Sequence, residues 1–272
     1  NHSPVYGGIL VSNTPRSKNR DNVDIPSSEV AITRGSLHRQ LKAITKYQLT
    51  LINAPPGYGK TTGIAQHILS SEVLCAWHTV DESERDLPNL HRHCVKALEF
   101  VAPGIEEALA SEQGQSELSA LAIAHYIQDH VEYDIIYVLD DWHLIAGASK
   151  AEQWLQVLAR SVPKRFHLVV SSRMLPDLPL AEFIARGSVM AIGQDQLRFT
   201  HDDAAALVRL ADEPIPVEQV CDRIDQLEGW PAGVMVALRP IPRAIESQIL
   251  AGTQGPESLF AILADTLLQR QS

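Results

Sequence analysis

The stretch Leu49 to Ile68, LTLINAPPGYGKTTGIAQHI, decides how this chain is read. Apolar Leu49, Leu51 and Ile52 run into a Pro/Gly-rich turn. Gly59-Lys60-Thr61-Thr62 follows, and Ile64 and Ile68 then stand at helical spacing. Strand, glycine loop and helix in that order form a phosphate-binding P-loop.

The residue types suit that chemistry. Consecutive backbone N–H groups at a helix N-terminus make a concave donor set for a polyanion, and glycine removes the Cβ that would block close approach. The loop Pro56, Gly57, Tyr58, Gly59, Lys60, Thr61, Thr62 is therefore expected to hold the phosphates of ATP or ADP. Lys60 would reach the β- and γ-phosphates, the Thr61 hydroxyl would ligate Mg²⁺, and Thr62 would donate to the α-phosphate. The pattern G-x-x-x-x-G-K-[ST] is met except at its first position, where Ala54 stands, and Pro56 offers no N–H. The competing reading is an ordinary Gly/Pro turn beside an exposed lysine.

A second segment, Asp134 to Asp141 (DIIYVLDD), carries five apolar residues into two adjacent carboxylates. A buried parallel strand with acids at its C-terminal end delivers them where open α/β sheets bind ligands. This is the form of a Walker B segment: Asp140 would order the Mg²⁺ shell and Asp141 would polarise the attacking water. Without a P-loop it would read equally well as a strand with an acidic turn. Phe166 to Val170 (FHLVV) is another apolar strand, followed by Ser171-Ser172-Arg173. Arg173 is placed either to sense a γ-phosphate or to pair with an acid at the surface, and pattern alone favours the surface role.

Composition narrows the class. The 272 residues are 45% hydrophobic and 21% charged, which suits a globular core domain with a smaller companion. No apolar run approaches the ~20 residues that cross a bilayer, and no signal-peptide core opens the chain, so a cytoplasmic location without membrane attachment is expected. A net charge of −10 argues against direct nucleic-acid binding by this stretch, which would need basic residues to neutralise phosphates. Cys75, Cys94 and Cys221 are too widely spaced for a zinc motif or disulfide framework and read as buried free thiols. His91 and His93 flank Arg92 on a helical stretch and point to different faces, so that pair is not expected to share a metal.

The remaining elements fall in order. Residues 1–29 read as an irregular lead-in, and a helix starts after Gly35 with Leu37, Leu41 and Ile44 on one stripe. Val73 to Val80 and Ser188 to Ile192 are strands. Leu87 to Val101 and Leu118 to Val131 are helical, the second with Leu118, Leu121 and Ile127 marking one face. Thr200 and Asp203 form a capping box, and helices at Val217 to Leu227, Trp230 to Leu238 and Leu259 to Leu268 follow. Strands give way to helices near residue 195. The expected fold is thus a P-loop NTPase domain over residues 30–194, a three-layer αβα parallel sheet, followed by a small all-helical domain over residues 195–253.

The segments APPGYGKTT, CAWHTVDESERDLPNLHRHCVKAL, YVLDDWHLI, LVVSSRMLP and LEGWPAGVMVAL together resemble the nucleotide-binding module of MalT-like, large ATP-binding LuxR-type regulators, in the STAND class of signal-transduction ATPases. The resemblance runs from about Ile32 to the C-terminus. It implies that Arg173 is the γ-phosphate sensor, acting with Lys60 and Asp141. It also implies that Pro231, in Gly229-Trp230-Pro231, packs near adenine, and that Arg34 lines the adenine site. Relatives of this kind use ATP against ADP as a switch for self-association and transcription activation; hydrolysis by this chain is expected to be slow, since its sequence offers no identifiable arginine finger. The end, SLFAILADTLLQRQS, resembles the first helix of the family's winged-helix part, so residues 254–272 are expected to begin a truncated domain and the chain to be a fragment without sensor or DNA reader. Pro56, where the family has a small residue, and Trp142, where it has a tyrosine, depart from the pattern. The alternatives are a P-loop small-molecule kinase and a degenerate scaffold that binds no nucleotide.

Overall fold

The computed structural model describes residues 25–26, 32, 34–111, 114, 116–210 and 214–238. Five strands, β1 (Leu49–Asn53), β2 (Leu74–Thr79), β3 (Ile135–Asp140), β4 (Phe166–Ser172) and β5 (Val189–Ile192), form one sheet in the order β2-β3-β4-β1-β5. Every pairing is parallel. Parallel strands need crossovers, and helices supply most of them. Chain order gives α1 (Gly35–Leu41), α2 (Lys60–Ser70), α3 (Leu87–Leu98), α4 (Ile105–Ala108), α5 (Ser119–His130), α6 (Ser149–Ser161), α7 (Leu180–Ala185), α8 (Gln194–Leu197), α9 (His201–Val208), α10 (Val217–Gln226) and α11 (Pro231–Ala237).

Both faces of the sheet are covered, which is why its strands are almost continuously apolar. Leu49, Leu51, Tyr137, Leu139, Leu168 and Val170 pack on one side with Leu90, Ile127, Trp154 and Leu158. Their alternates Ile52, Trp77, Ile136, Val138 and Val169 pack on the other with Leu37, Leu41, Ile64 and Ile68. The period-two alternation of strands and the 3.6 period of helices thus meet in two apolar layers.

All five expected strands are present. The helix over Ser119–His130 is also present, but its buried stripe is Ala120, Ile123, Ala124 and Ile127. Leu118, expected on that face, is the residue before the helix and is 58% exposed. An expectation was missing for α6, whose buried Ala151, Trp154, Leu155, Leu158 and Ala159 mark a full amphipathic face. The side chains of Cys75 and Cys94 are buried and that of Cys221 is half-buried.

Beyond β5 the described elements are helical, around an apolar cluster of Ile32, Phe199, Ala204, Leu207, Val220, Ile224 and Val234. The cap of α9 is as expected: the Thr200 N–H donates to Asp203 Oδ2 at 2.9 Å. Proline opens α11, where its missing N–H costs nothing. The expected lead-in, the helix at Leu259 to Leu268 and the start of a winged-helix part lie outside the described residues, apart from Ile25 and Pro26. Among the described residues no helix is long and apolar enough to cross a membrane.

Candidate functional site

The site gathers at the C-terminal ends of β1, β4 and β3. Leaving β1, the chain turns through Gly57 and Gly59, whose φ angles of 77° and 74° lie in the left-handed region that glycine adopts without penalty. Gly59 is the residue before α2, so the N–H groups of that helix's first turn open onto the loop. Tyr58, expected among the nucleotide-binding residues, buries its ring in the core, and its hydroxyl accepts from Gln194 Nε2 at 2.8 Å. Its side chain therefore anchors the loop, and its main-chain amide is what it can offer a ligand.

Lys60 is only 7% exposed. Its Nζ donates to the Ala54 carbonyl at 2.7 Å and the Pro55 carbonyl at 3.3 Å, bridging the start of the loop. Burial pushes the ammonium's pKa down; the Asp141 and Asp140 carboxylates oppose that and Arg173 reinforces it. The Thr61 hydroxyl donates to Asp140 Oδ2 at 2.7 Å, and the Asp141 N–H donates to Asp140 Oδ1 at 3.1 Å. Asp140 is 1% exposed, and burial holds its carboxyl above the usual range. In a buried acid and a buried ammonium the charged forms are disfavoured by burial, and a bound cation and a bound polyanion would stabilise those forms.

Asp141 sits at φ 59°, ψ 33°, a left-handed conformation uncommon outside glycine that aspartate tolerates. His143 Nδ1 lies 3.7 Å from Asp141 Oδ1, and burial lowers the pKa of this imidazole. Arg173 leaves the end of β4 exposed, and its charge bears on both Lys60 and His143. Trp142, where the family pattern has tyrosine, is fully buried in the core.

Beside the loop lies a cavity of about 290 Å³ lined by Ile32, Arg34, Gly57, Gly59, Thr62, Gly63, Gln66, Phe199, Pro231, Ala232 and Met235. Arg34 is 7% exposed, with its guanidinium carbon 4.9 Å from the centre of the Phe199 ring. Its Nη2 donates to the Arg198 carbonyl, while its buried Nε has no hydrogen-bond acceptor. Burial lowers this arginine's pKa, with Asp203 opposing.

The helical part grips the loop directly. The Ala232 N–H donates to the Gly57 carbonyl at 2.9 Å, and Trp230 Nε1 donates to the Pro56 carbonyl at 3.3 Å. Pro56 thus lacks a donor but keeps a used acceptor. A Cβ at Gly57 would stand 2.8 Å from both Ala232 Cβ and Trp230 Nε1.

Lys60, Thr61, Asp140, Asp141 and Arg173 therefore gather at the C-terminal ends of the central strands, while Thr62, Arg34 and Pro231 meet in the adjoining cavity. Sequence reading missed Phe199 and the grip of Trp230 and Ala232 on the loop. Phe199 carried a readable signal: an apolar residue just before the Thr200 cap packs into the cluster that also holds Ala204, four residues into the helix numbering from that cap.

No family model matches the chain. It is 31% identical over 205 residues to the HTH-type transcriptional regulator MalT of Serratia proteamaculans, covering 73% of this chain and 22% of that protein. With MalT of Yersinia enterocolitica it is 33% identical over 211 residues, again covering 73% and 22%. The chain thus spans about a fifth of the length of these relatives. Among solved structures, a Signal Transduction ATPase with Numerous Domains from Pyrococcus horikoshii, with a tetratricopeptide repeat sensor, superposes with a TM-score of 0.56 at 18% identity, covering 76% of this chain and 30% of that one. A Walker-type ATPase of Pyrococcus abyssi superposes with a TM-score of 0.51 at 12% identity, covering 88% and 76%. Over the stretch they share, the chain belongs with the MalT-like regulators, and its fold is that of the ATPases with which it superposes.

Proposed function

We propose that this chain is an adenine-nucleotide switch: it holds ATP or ADP with Mg²⁺ between the parallel-sheet part, residues 30–194, and the helical part, residues 195–253. The observation that carries the reading is the Thr61–Asp140 contact of 2.7 Å beside a cavity lined by Arg34, Gly57, Gly59 and Pro231. A P-loop and an acid from another strand share one spot, and a partly apolar pocket adjoins them.

The residues fit the nucleotide. Amides around Gly57 to Thr62 and the Lys60 ammonium would hold the phosphates, and Thr61 and Asp140 would hold Mg²⁺. Arg34, with its unpartnered Nε, would line the base site with Phe199 and Pro231. Mg²⁺, when bound, supplies charge neutralisation on the β- and γ-phosphates. Asp141, turned left-handed beside the buried acid, orients a water, and Arg173 meets negative charge at the loop's open side. Hydrolysis is slow in this reading, because no arginine finger is identifiable among the described residues and such a group is worth roughly 10³ to 10⁵ in rate.

The Ala232 and Trp230 hydrogen bonds to the loop support domain closure as the readout, since a ligand that reshapes the loop acts directly on the helical part. In the whole regulator, that readout controls self-association and transcription activation in the cytoplasm, and DNA is bound by a part other than this acidic stretch.

The test is thermal melting with MgADP and MgATP. At 100 times its Kd a ligand stabilises by about 2.7 kcal/mol, a rise of roughly 5–11 °C for a chain of this size. Wild type should show the rise and Lys60→Ala should not. A rise of equal size in both would overturn the reading. Phosphate appearing on an added metabolite, in place of free phosphate, would favour a kinase instead.

A further inference from the structure

A second cluster stands at the end of β2, apart from the phosphate loop. His78 on β2, Glu84 in the 3₁₀ turn Glu82–Arg85 and His93 on α3 bring one ligand atom each to within 4.8 Å of one another. His78 Nε2 lies 3.0 Å from Glu84 Oε1, and His93 Nδ1 lies 2.7 Å from the same oxygen. Glu84 is 1% exposed and His78 is 6% exposed. The second carboxylate oxygen, Oε2, is also 3.0 Å from His78 Nε2 but makes no hydrogen bond of acceptable angle. Two imidazoles and a buried carboxylate thus converge with lone-pair capacity left over, a set that is costly to bury unless it shares protons or a cation.

The ligand types select the cation. Two imidazole nitrogens and one carboxylate oxygen suit zinc and its first-row neighbours, and bonds of ~2.0–2.2 Å in a tetrahedral site put ligand atoms ~3.3 Å apart. The observed separations of 2.7 and 3.0 Å need widen by about 0.6 and 0.3 Å, and the third pair, within 4.8 Å, must settle to the same spacing. The other ring nitrogen of His78 is already fixed: Nδ1 is 3.2 Å from the Tyr137 hydroxyl and 3.4 Å from Cys94 Sγ. That outer contact orients a metal-binding imidazole. The His93 side chain is 35% exposed, which gives an ion a way in and leaves room for water as a fourth ligand.

We propose that His78, Glu84 and His93 form a site for a divalent transition cation of the zinc type, separate from the Mg²⁺ and nucleotide site. Bound there, the ion ties the end of β2 to the following turn and to α3. Its place is structurally close to the Walker B carboxylate: His78 pairs in register with Leu139, and Thr79 with Asp140. The ion therefore stiffens the strand end that flanks Asp140 without touching the nucleotide.

The experiment is titration of metal-stripped full chain with Co²⁺ at pH 7.5, followed by visible absorption and competition with Zn²⁺, with metal analysis of the dialysed protein. The expected result is one Co²⁺ per chain, d–d bands that Zn²⁺ abolishes, and a raised melting temperature. In Glu84→Gln and His93→Gln, affinity should fall by at least the ~10–100-fold that loss of even an outer partner costs. His93→Gln alters a part-exposed ring, so circular dichroism of that variant gives a folded control should Glu84→Gln misfold. No stoichiometric Co²⁺ or Zn²⁺ uptake by wild type, or unchanged uptake in folded His93→Gln, overturns the proposal and leaves a buried hydrogen-bonded network.

Discussion

Replacing Gly57 by alanine tests whether the helical part holds the phosphate loop as described. Two costs add. Alanine at φ 77° pays about 1–2 kcal/mol for a left-handed conformation. Its Cβ would also stand 2.8 Å from Ala232 Cβ and from Trp230 Nε1, closer than packed atoms come, and overpacking of that kind costs about 1–3 kcal/mol. The sum is about 2–5 kcal/mol. The assay is urea unfolding without nucleotide, followed by far-ultraviolet circular dichroism. A companion Ala232→Gly removes one of the two clashing partners, so the double variant should recover on the order of 1 kcal/mol of the loss, as coupled neighbours do. If Gly57→Ala costs under about 1 kcal/mol, or if Ala232→Gly restores nothing, the contact between the loop and α11 is not maintained in solution and the proposed readout loses its basis.

Two other outcomes follow from buried titratable groups. His67 is 6% exposed, and burial, with His38 and Lys42 nearby, lowers its pKa to about 4. Its unfolded value is about 6.5, so the unfolded chain takes up the proton first and stability falls as pH drops from about 6.5 toward 4. That window is worth about 3 kcal/mol, and unfolding curves at pH 7 and pH 4.5 should show a smaller pH dependence in His67→Leu than in wild type. Asp140 behaves oppositely: burial raises its pKa, so ionisation weighs against folding once pH passes the ordinary carboxylate range. Asp140→Asn should therefore melt higher than wild type at pH 7 in Mg²⁺-free buffer while losing the Mg²⁺ dependence of nucleotide binding. A lower melting temperature for that variant would contradict the assigned direction.

Much of the sheet and the phosphate loop was legible because the determining residues are consecutive. Leu49 to Ile68 holds strand, turn and helix in one run, and Ile135–Asp140 announces a buried strand by uniform apolarity. The α6 helix was equally readable from Ala151, Trp154, Leu155 and Leu158, but the two adjacent strand motifs drew the reading past it. Leu118 misled because apolar spacing alone cannot say where a helix begins. Arg34 and Pro231 were placed near the base only by family resemblance, since nothing in their local sequence brings them together across some 200 residues. The grouping of His78, Glu84 and His93 was not legible either: it joins a strand, a turn and a helix whose packing sets the distances, whereas the sequence offered only His91 and His93, a pair that helical geometry separates.

The central claim is that the loop of Gly57 to Thr62 and Lys60, facing Asp140, hold a nucleotide's phosphates. Calorimetric titration of MgADP into the nucleotide-stripped chain, beside Lys60→Ala, tests this most directly. The account predicts one site per chain in wild type and loss of measurable binding in the variant. A wild-type chain that binds neither ADP nor ATP at millimolar concentration, or a Lys60→Ala chain that binds as tightly as wild type, would contradict it.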